Sequence, residues 1–308
     1  MATILSDSSH STTRSLRGLI SIPNMLSLDA PLVAIGWQWL LRSGFDNPSP
    51  PNIPASSQPM LTMSSGVLFI TVWLIYMADR LLDCRRMDFS REATLRHRFA
   101  KRWSSILWPL WGVMLATGGL TAFTYLHREL LIGGCILLGF VTLYAAAVHR
   151  VQPRQQRLPK EFIVGSLFAF GVSLPVVTAR VTFSLGITTG LLAALFVLNC
   201  LCVATAQRPS DRQQGMDSAV LMYPPLSTHL PWLAAGLATI SASLGISGSI
   251  PLSITAAVSL SCILLIPIAW SIDDQTSKLS ASPLSTSTRG ELADYALLSP
   301  FLIMAIAT

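Results

Sequence analysis

Long apolar blocks alternate with short polar stretches along the chain. The blocks run to roughly 17 to 23 residues, the length a helix needs to cross a hydrocarbon core of about 30 Å. This pattern predicts spans over 25–43, 64–82, 104–124, 130–149, 162–180, 184–206, 231–249, 251–270 and 291–307. The expected fold class is therefore an all-α membrane protein with nine transmembrane helices. The polar segments fit between them. Residues 1–24 are rich in Ser and Thr and lack the charged start, apolar stretch and small-residue cleavage site of a secretory signal, so they read as a disordered arm. The stretches 47–65 and 276–288 read as flexible loops inside one transmembrane domain, 25–308.

Composition strengthens this picture. With 51% hydrophobic and 12% charged residues in 308, the chain lacks the polar surface of a soluble protein. The net charge of +6 does not imply a nucleic-acid partner, because its distribution follows membrane orientation. Of 21 Lys and Arg residues, all except Arg42, Arg128 and Arg180 fall in the N-terminal arm or in the loops after spans two, four, six and eight. Positive residues prefer cytoplasmic loops, so the N-terminus is expected in the cytoplasm and the C-terminus on the opposite side. The five cysteines, Cys84, Cys135, Cys200, Cys202 and Cys262, show no metal-ligand or disulfide spacing and read as small hydrophobes.

Candidate chemistry lies at the ends of spans two and six. The first reads YMADRLLDCRR, with Asp79 and Asp83 four residues apart on one helix face. Ionisable groups at such positions are functional candidates by default, although ion pairs with Arg80, Arg85 or Arg86 are the structural alternative. The second reads NCLCVATAQRPSDRQQG, with Gln207, Asp211 and Gly215 at successive fours and Asn199 about two turns earlier. Asn199 either joins this face or makes an interhelical hydrogen bond. Both segments end on the same side of the membrane. Carboxylates there suit Mg²⁺, which binds substrate phosphates through one or two protein carboxylates. The implied ligand is a diphosphate, and if its tail is an isoprenoid, the apolar bundle beneath the cluster is the natural place for it. Mg²⁺ would offset charge on the departing diphosphate while the enclosed site excludes water. Asp217 is a further acidic residue in the same loop.

These residues resemble the UbiA superfamily of intramembrane prenyltransferases, nine-helix proteins with two Asp-rich motifs. In the family's first motif, N-D-x-x-D-x-x-x-D, the last two acidic positions fall on Asp79 and Asp83, while Ile75 and Tyr76 stand at the first two. In the second, D-x-x-x-D-x-x-x-G, Asp211 and Gly215 match and Gln207 replaces the first Asp. The resemblance implies a helical bundle around a central cavity. Its Mg²⁺ would be held by Asp79, Asp83 and Asp211, the catalytic set, with an isoprenyl diphosphate and a lipophilic acceptor as partners among membrane lipids. It also implies cationic and polar contacts to the diphosphate, for which Arg96, His97, Arg98, Lys101, Lys160 and Glu161 are available, with Asn199 and Gln207 as hydrogen-bonding groups. Positive-inside placement alone also explains Lys160.

The expected function is Mg²⁺-dependent transfer of a prenyl group to an acceptor within the membrane. Cyclisation of the prenyl chain is a variant of the same chemistry, and the missing acidic positions leave open a non-catalytic lipid-binding or transport protein. Asp29 in span one and Tyr76 in span two either line the cavity or bond neighbouring helices. Trp37, Trp39, Trp103, Trp108 and Trp111 are expected in an interfacial aromatic belt. Glu291 and Asp294 are expected at the start of span nine, where the helix dipole favours anions.

Overall fold

The computed structural model describes residues 22–45, 58–91, 93–150, 160–216, 218–277 and 286–307, which form helices and turns with no strand among them. Helices dominate because a bilayer offers the backbone no water, so each N–H and C=O must be paired within its own segment. In chain order they are α1 (Asp29–Phe45), α2 (Gln58–Asp83), α3 (Leu95–Arg102), α4 (Ser104–Tyr125), α5 (Arg128–Arg150) and α6 (Lys160–Ala179). These are followed by α7 (Phe183–Gln214), α8 (Ala219–Met222), α9 (Pro225–Ile246), α10 (Leu252–Ser277), α11 (Thr286–Ala296) and α12 (Ser299–Ala307). Seven of them, α2, α4, α5, α6, α7, α9 and α10, are long and apolar enough to cross a membrane. The protein is an integral multi-pass membrane protein.

The expected ninth span is two helices. Pro300 has no N–H to continue a helix from Ala296, and α11 gives way to α12 through a turn at Leu297 and Leu298. The carbonyls freed there are taken up by side chains. Ser261 Oγ donates to Ala296 O at 2.8 Å, and Trp37 Nε1 donates to Leu297 O at 2.9 Å. Trp37 is thus wholly buried and not part of an interfacial belt. Trp39 and Trp103 do remain exposed.

Two more boundaries differ from the sequence pattern. Helix α2 begins at Gln58, inside the stretch expected to be a loop. Its polar Ser65 is accommodated by donating to Gln38 Oε1 at 2.7 Å and accepting from Trp39 Nε1 at 3.1 Å. Helix α7 continues to Gln214, so Gln207 and Asp211 lie on the helix and not beyond it. Its 32 residues span about 48 Å, more than the hydrocarbon thickness. Thr182 caps its start by accepting from Leu185 N, and Gly215 ends it in the left-handed conformation, φ 70°, which glycine adopts without Cβ strain.

Helix α7 forms the centre, packed against α6, α9, α10 and α11, while α1 packs against α2, α6, α10 and α12. Gly165 allows the α6–α7 approach, since a Cβ there would lie 2.5 Å from the backbone nitrogen of Val197. The core gathers Trp37, Leu41, Leu192, Leu195, Ile254 and Leu265. Helix α4 leans on α2 and α5 on α6, and both expose most of their apolar surface, as lipid-facing helices do.

Candidate functional site

The polar residues of the bundle gather where α2 and α7 end and α6 begins. Helix α2 presents two faces there: Asp79 and Asp83 on one, Tyr76 and Arg80 on the other. Asp79 is exposed and Asp83 partly so, whereas Arg80 is buried. The connection after α2 clips its end to that of α7. Gln214 Oε1 accepts from Asp88 N at 3.1 Å, Gln214 Nε2 donates to Asp88 O at 3.0 Å, and Arg91 Nη1 donates to Gln213 O at 2.7 Å. These bonds bring the two motif-bearing helix ends to one mouth.

Helix α3 then folds over that mouth, carrying Arg96 and His97. His97 Nδ1 is 2.7 Å from Thr94 Oγ1, and its Nε2 lies 3.9 Å from Asp83 Oδ2. Burial, with the guanidinium groups of Arg96 and Arg80 beside it, holds the imidazole down at about 3. His97 is therefore neutral near pH 7, and its approach to Asp83 is not an ion pair. Cys84, just past α2, donates to His97 O at 3.3 Å, and burial raises its thiol to about 11, out of reach of thiolate chemistry.

Lys160 and Arg96 lie within electrostatic range of Asp211. Neither makes a hydrogen bond or ion pair among the described residues. Glu161, adjacent to Lys160, is buried and accepts from Ala219 N through both carboxylate oxygens at 3.2 Å, fastening α6 to α8. Arg96 also lines a small cavity of about 10 Å³ with Asn24, Thr94, Gln207, Gly290 and Glu291, room for one water. Its Nε is buried without a hydrogen-bond partner among the described residues.

Beneath this open part lies a buried one. Asn24 Nδ2 donates to Asp29 Oδ2 at 2.8 Å and reaches Asp294 Oδ2 at 3.5 Å. Asn199 Nδ2 donates to Asp294 Oδ1 at 3.0 Å. Arg80 donates to Asn24 O and, at 2.6 Å, to Ser27 Oγ. Ser27 holds a left-handed φ of 58°, a conformation that costs energy for a residue with a Cβ, and the Arg80 bonds hold it there. Tyr76 stands edge-on to Phe168, close to the charges of Asp29, Asp294 and Arg80.

The structure thus divides the residues picked out from sequence. Asp79, Asp83, Asp211, Arg96, Lys160 and Gln207 lie where α2, α3, α6 and α7 meet, with Asp211 itself buried, while Asn199 and Tyr76 belong to the buried cluster. Among the described residues no three of His, Cys, Asp and Glu gather around a common point. Asp217 lies outside the described residues. Asp29 and Asp294 are partners in the buried cluster, and Asp294 is not at a helix start: α11 begins eight residues earlier in the chain, at Thr286, and has no acid in its first turn. The sequence offered Asp29 as a cavity-lining or helix-bonding group and Asp294 only as a helix-end anion, so nothing in it paired the two.

No protein-family model matches the sequence, and no curated protein matches it either. Among solved structures the chain is similar to one described as giving structural and mechanistic insights into the biosynthesis of digeranylgeranylglyceryl phosphate synthase in membranes. The two share 15% identity with a TM-score of 0.46, over 94% of this chain and 92% of that one.

Proposed function

We propose that the protein binds an isoprenyl diphosphate at the mouth between α2, α3, α6 and α7 and transfers its prenyl group to a lipophilic acceptor within the membrane. In this reading the chain is a nine-span UbiA-type bundle with α1 as the first span and α11–α12 as the last, and the mouth faces the cytoplasm. The observation that supports it is the presence of Arg96 and Lys160, two cations without hydrogen-bond or ion-pair partners among the described residues, both within electrostatic range of Asp211. Unpaired cations at a membrane boundary suit a multiply charged anion.

The donor set at the mouth fits one Mg²⁺ that arrives with the diphosphate, not a preformed cage. Asp79 and Asp83 supply carboxylates from consecutive turns of α2, and Mg²⁺ ordinarily takes one or two carboxylates together with substrate phosphates. Asp211 is the third candidate, from α7. When bound, the ion offsets charge on the leaving diphosphate. The chain's own residues do the rest. Arg96 and Lys160 hold the diphosphate oxygens, Gln207 donates a hydrogen bond at the inner edge, and α3 covers the mouth and limits water.

The test is thermal stabilisation of the purified protein by geranyl, farnesyl and geranylgeranyl diphosphates, with Mg²⁺ or chelator, for wild type, Asp83→Asn and Lys160→Ala. A ligand at about 100 times its dissociation constant stabilises by roughly 2.7 kcal/mol. Stabilisation that needs Mg²⁺ and weakens in both variants supports the proposal. A folded protein that responds to none of the three diphosphates favours the lipid-carrier reading.

A further inference from the structure

The buried carboxylates lie on different helices and are joined through a single amide, that of Asn24. Once the hydrogen bonds of Asn24 and Asn199 are assigned, two buried oxygens have no donor among the described residues, Asp29 Oδ1 and Asn199 Oδ1. Asp29 is 4% exposed and Asn199 6%. Both orphan atoms are acceptors, so whatever satisfies them brings a hydrogen or a positive charge. Leaving two such atoms dry inside a bundle is costly.

The charges around the pair point the same way. From α2 come Tyr76 and Arg80, from α3 Arg96, from α7 Cys200, and from α11 Glu291 and Tyr295. Arg80 lies within electrostatic range of both carboxylates, and Arg96 shares its cavity with Glu291. Among the described residues Arg80 donates to Asn24 O and Ser27 Oγ and to neither carboxylate.

We propose that Asp29, Asn199 and Asp294 hold one monovalent cation, a proton or an alkali-metal ion, at the junction of α1, α7 and α11. The bound charge completes the coordination of Asp29 Oδ1 and Asn199 Oδ1 and fastens α1 and α11 to the central helix. The site is distinct from the open mouth, and it stands whether or not a prenyl diphosphate binds there.

The experiment follows melting of the full-length protein in detergent by tryptophan fluorescence. Sodium, potassium and N-methylglucamine chlorides are compared at one ionic strength and pH 8, and the last salt is then carried from pH 8 to pH 5. An alkali-metal ion raises the melting temperature in sodium or potassium over N-methylglucamine, and the response disappears in Asp29→Asn and Asp294→Asn. A proton instead leaves the three salts equal and makes the difference between wild type and Asp29→Asn change with pH. Asp79→Asn, at the open mouth, keeps the wild-type response in either case. Should the buried variants not fold, ²²Na⁺ binding to wild type, its competition by acid, and a loss of at least tenfold in affinity in Asn199→Ala decide the matter. Equal melting in all three salts together with a pH-independent difference between wild type and variant overturns the proposal; failing those variants, no acid-displaceable ²²Na⁺ together with a pH-independent difference between wild type and Asn199→Ala does so.

Discussion

Asn199 and Asp294 are 95 residues apart in the chain, yet the amide of one donates to the carboxylate of the other at 3.0 Å. This bond ties α7, the central helix, to α11 at the level of the buried polar cluster. Asn199 therefore acts on the architecture beneath the mouth and does not reach into the mouth itself.

Asn199→Ala removes the only side-chain donor to Asp294 Oδ1 among the described residues. Leaving a buried acceptor unmet costs about 1–3 kcal/mol. Asn199→Asp adds like-charge repulsion to the same loss and is expected to destabilise more. Thermal or denaturant unfolding in detergent orders the two variants.

His97 makes stability depend on acid. Its imidazole takes a proton near 6.5 when unfolded but near 3 in the fold. The unfolded chain therefore binds the proton more readily between these values. Stability contributed by neutral His97 is present above about 6.5 and falls as pH is lowered toward 3, by up to about 1.4 kcal/mol per pH unit. His97→Gln should flatten this slope, as read from unfolding midpoints at pH 7, 6 and 5. An identical slope in the variant counts against the buried neutral imidazole.

Arg96→Ala and Lys160→Ala each remove a cation from the mouth. Hydrogen bonds to charged groups contribute about 1.5–3 kcal/mol, so each variant should weaken prenyl diphosphate binding by about 10- to 150-fold. Neither should lower melting of the ligand-free protein appreciably, because neither side chain has a hydrogen bond to lose among the described residues. Isothermal titration with and without Mg²⁺ measures the effect.

Gly165→Val tests a close helix–helix contact, that of α6 with α7. Its side chain would meet the Val197 backbone, which cannot move aside as a flexible side chain can. Overpacking of this kind costs about 1–3 kcal/mol or more. The expected result is a large drop in melting temperature or in recovered folded protein, with Gly165→Ala milder in the same direction.

The apolar block pattern determined that the chain crosses the membrane many times as helices, because block length and bilayer thickness must match whatever the helices pack against. The same local logic located Asp79, Asp83, Gln207 and Asp211, whose helical spacing is a property of the backbone alone. Where helices stop was less legible. The extension of α7 to Gly215 and the break at Leu297 depend on which neighbours satisfy the freed carbonyls, and Ser261 and Trp37 do so from elsewhere in the chain. Only the tertiary structure joined Asp29 to Asp294 and turned Asn199 toward that pair and away from the mouth. Such contacts are set by the rotation and packing of α1, α7 and α11 about one another, and residues that meet across hundreds of positions leave no spacing in the sequence to read.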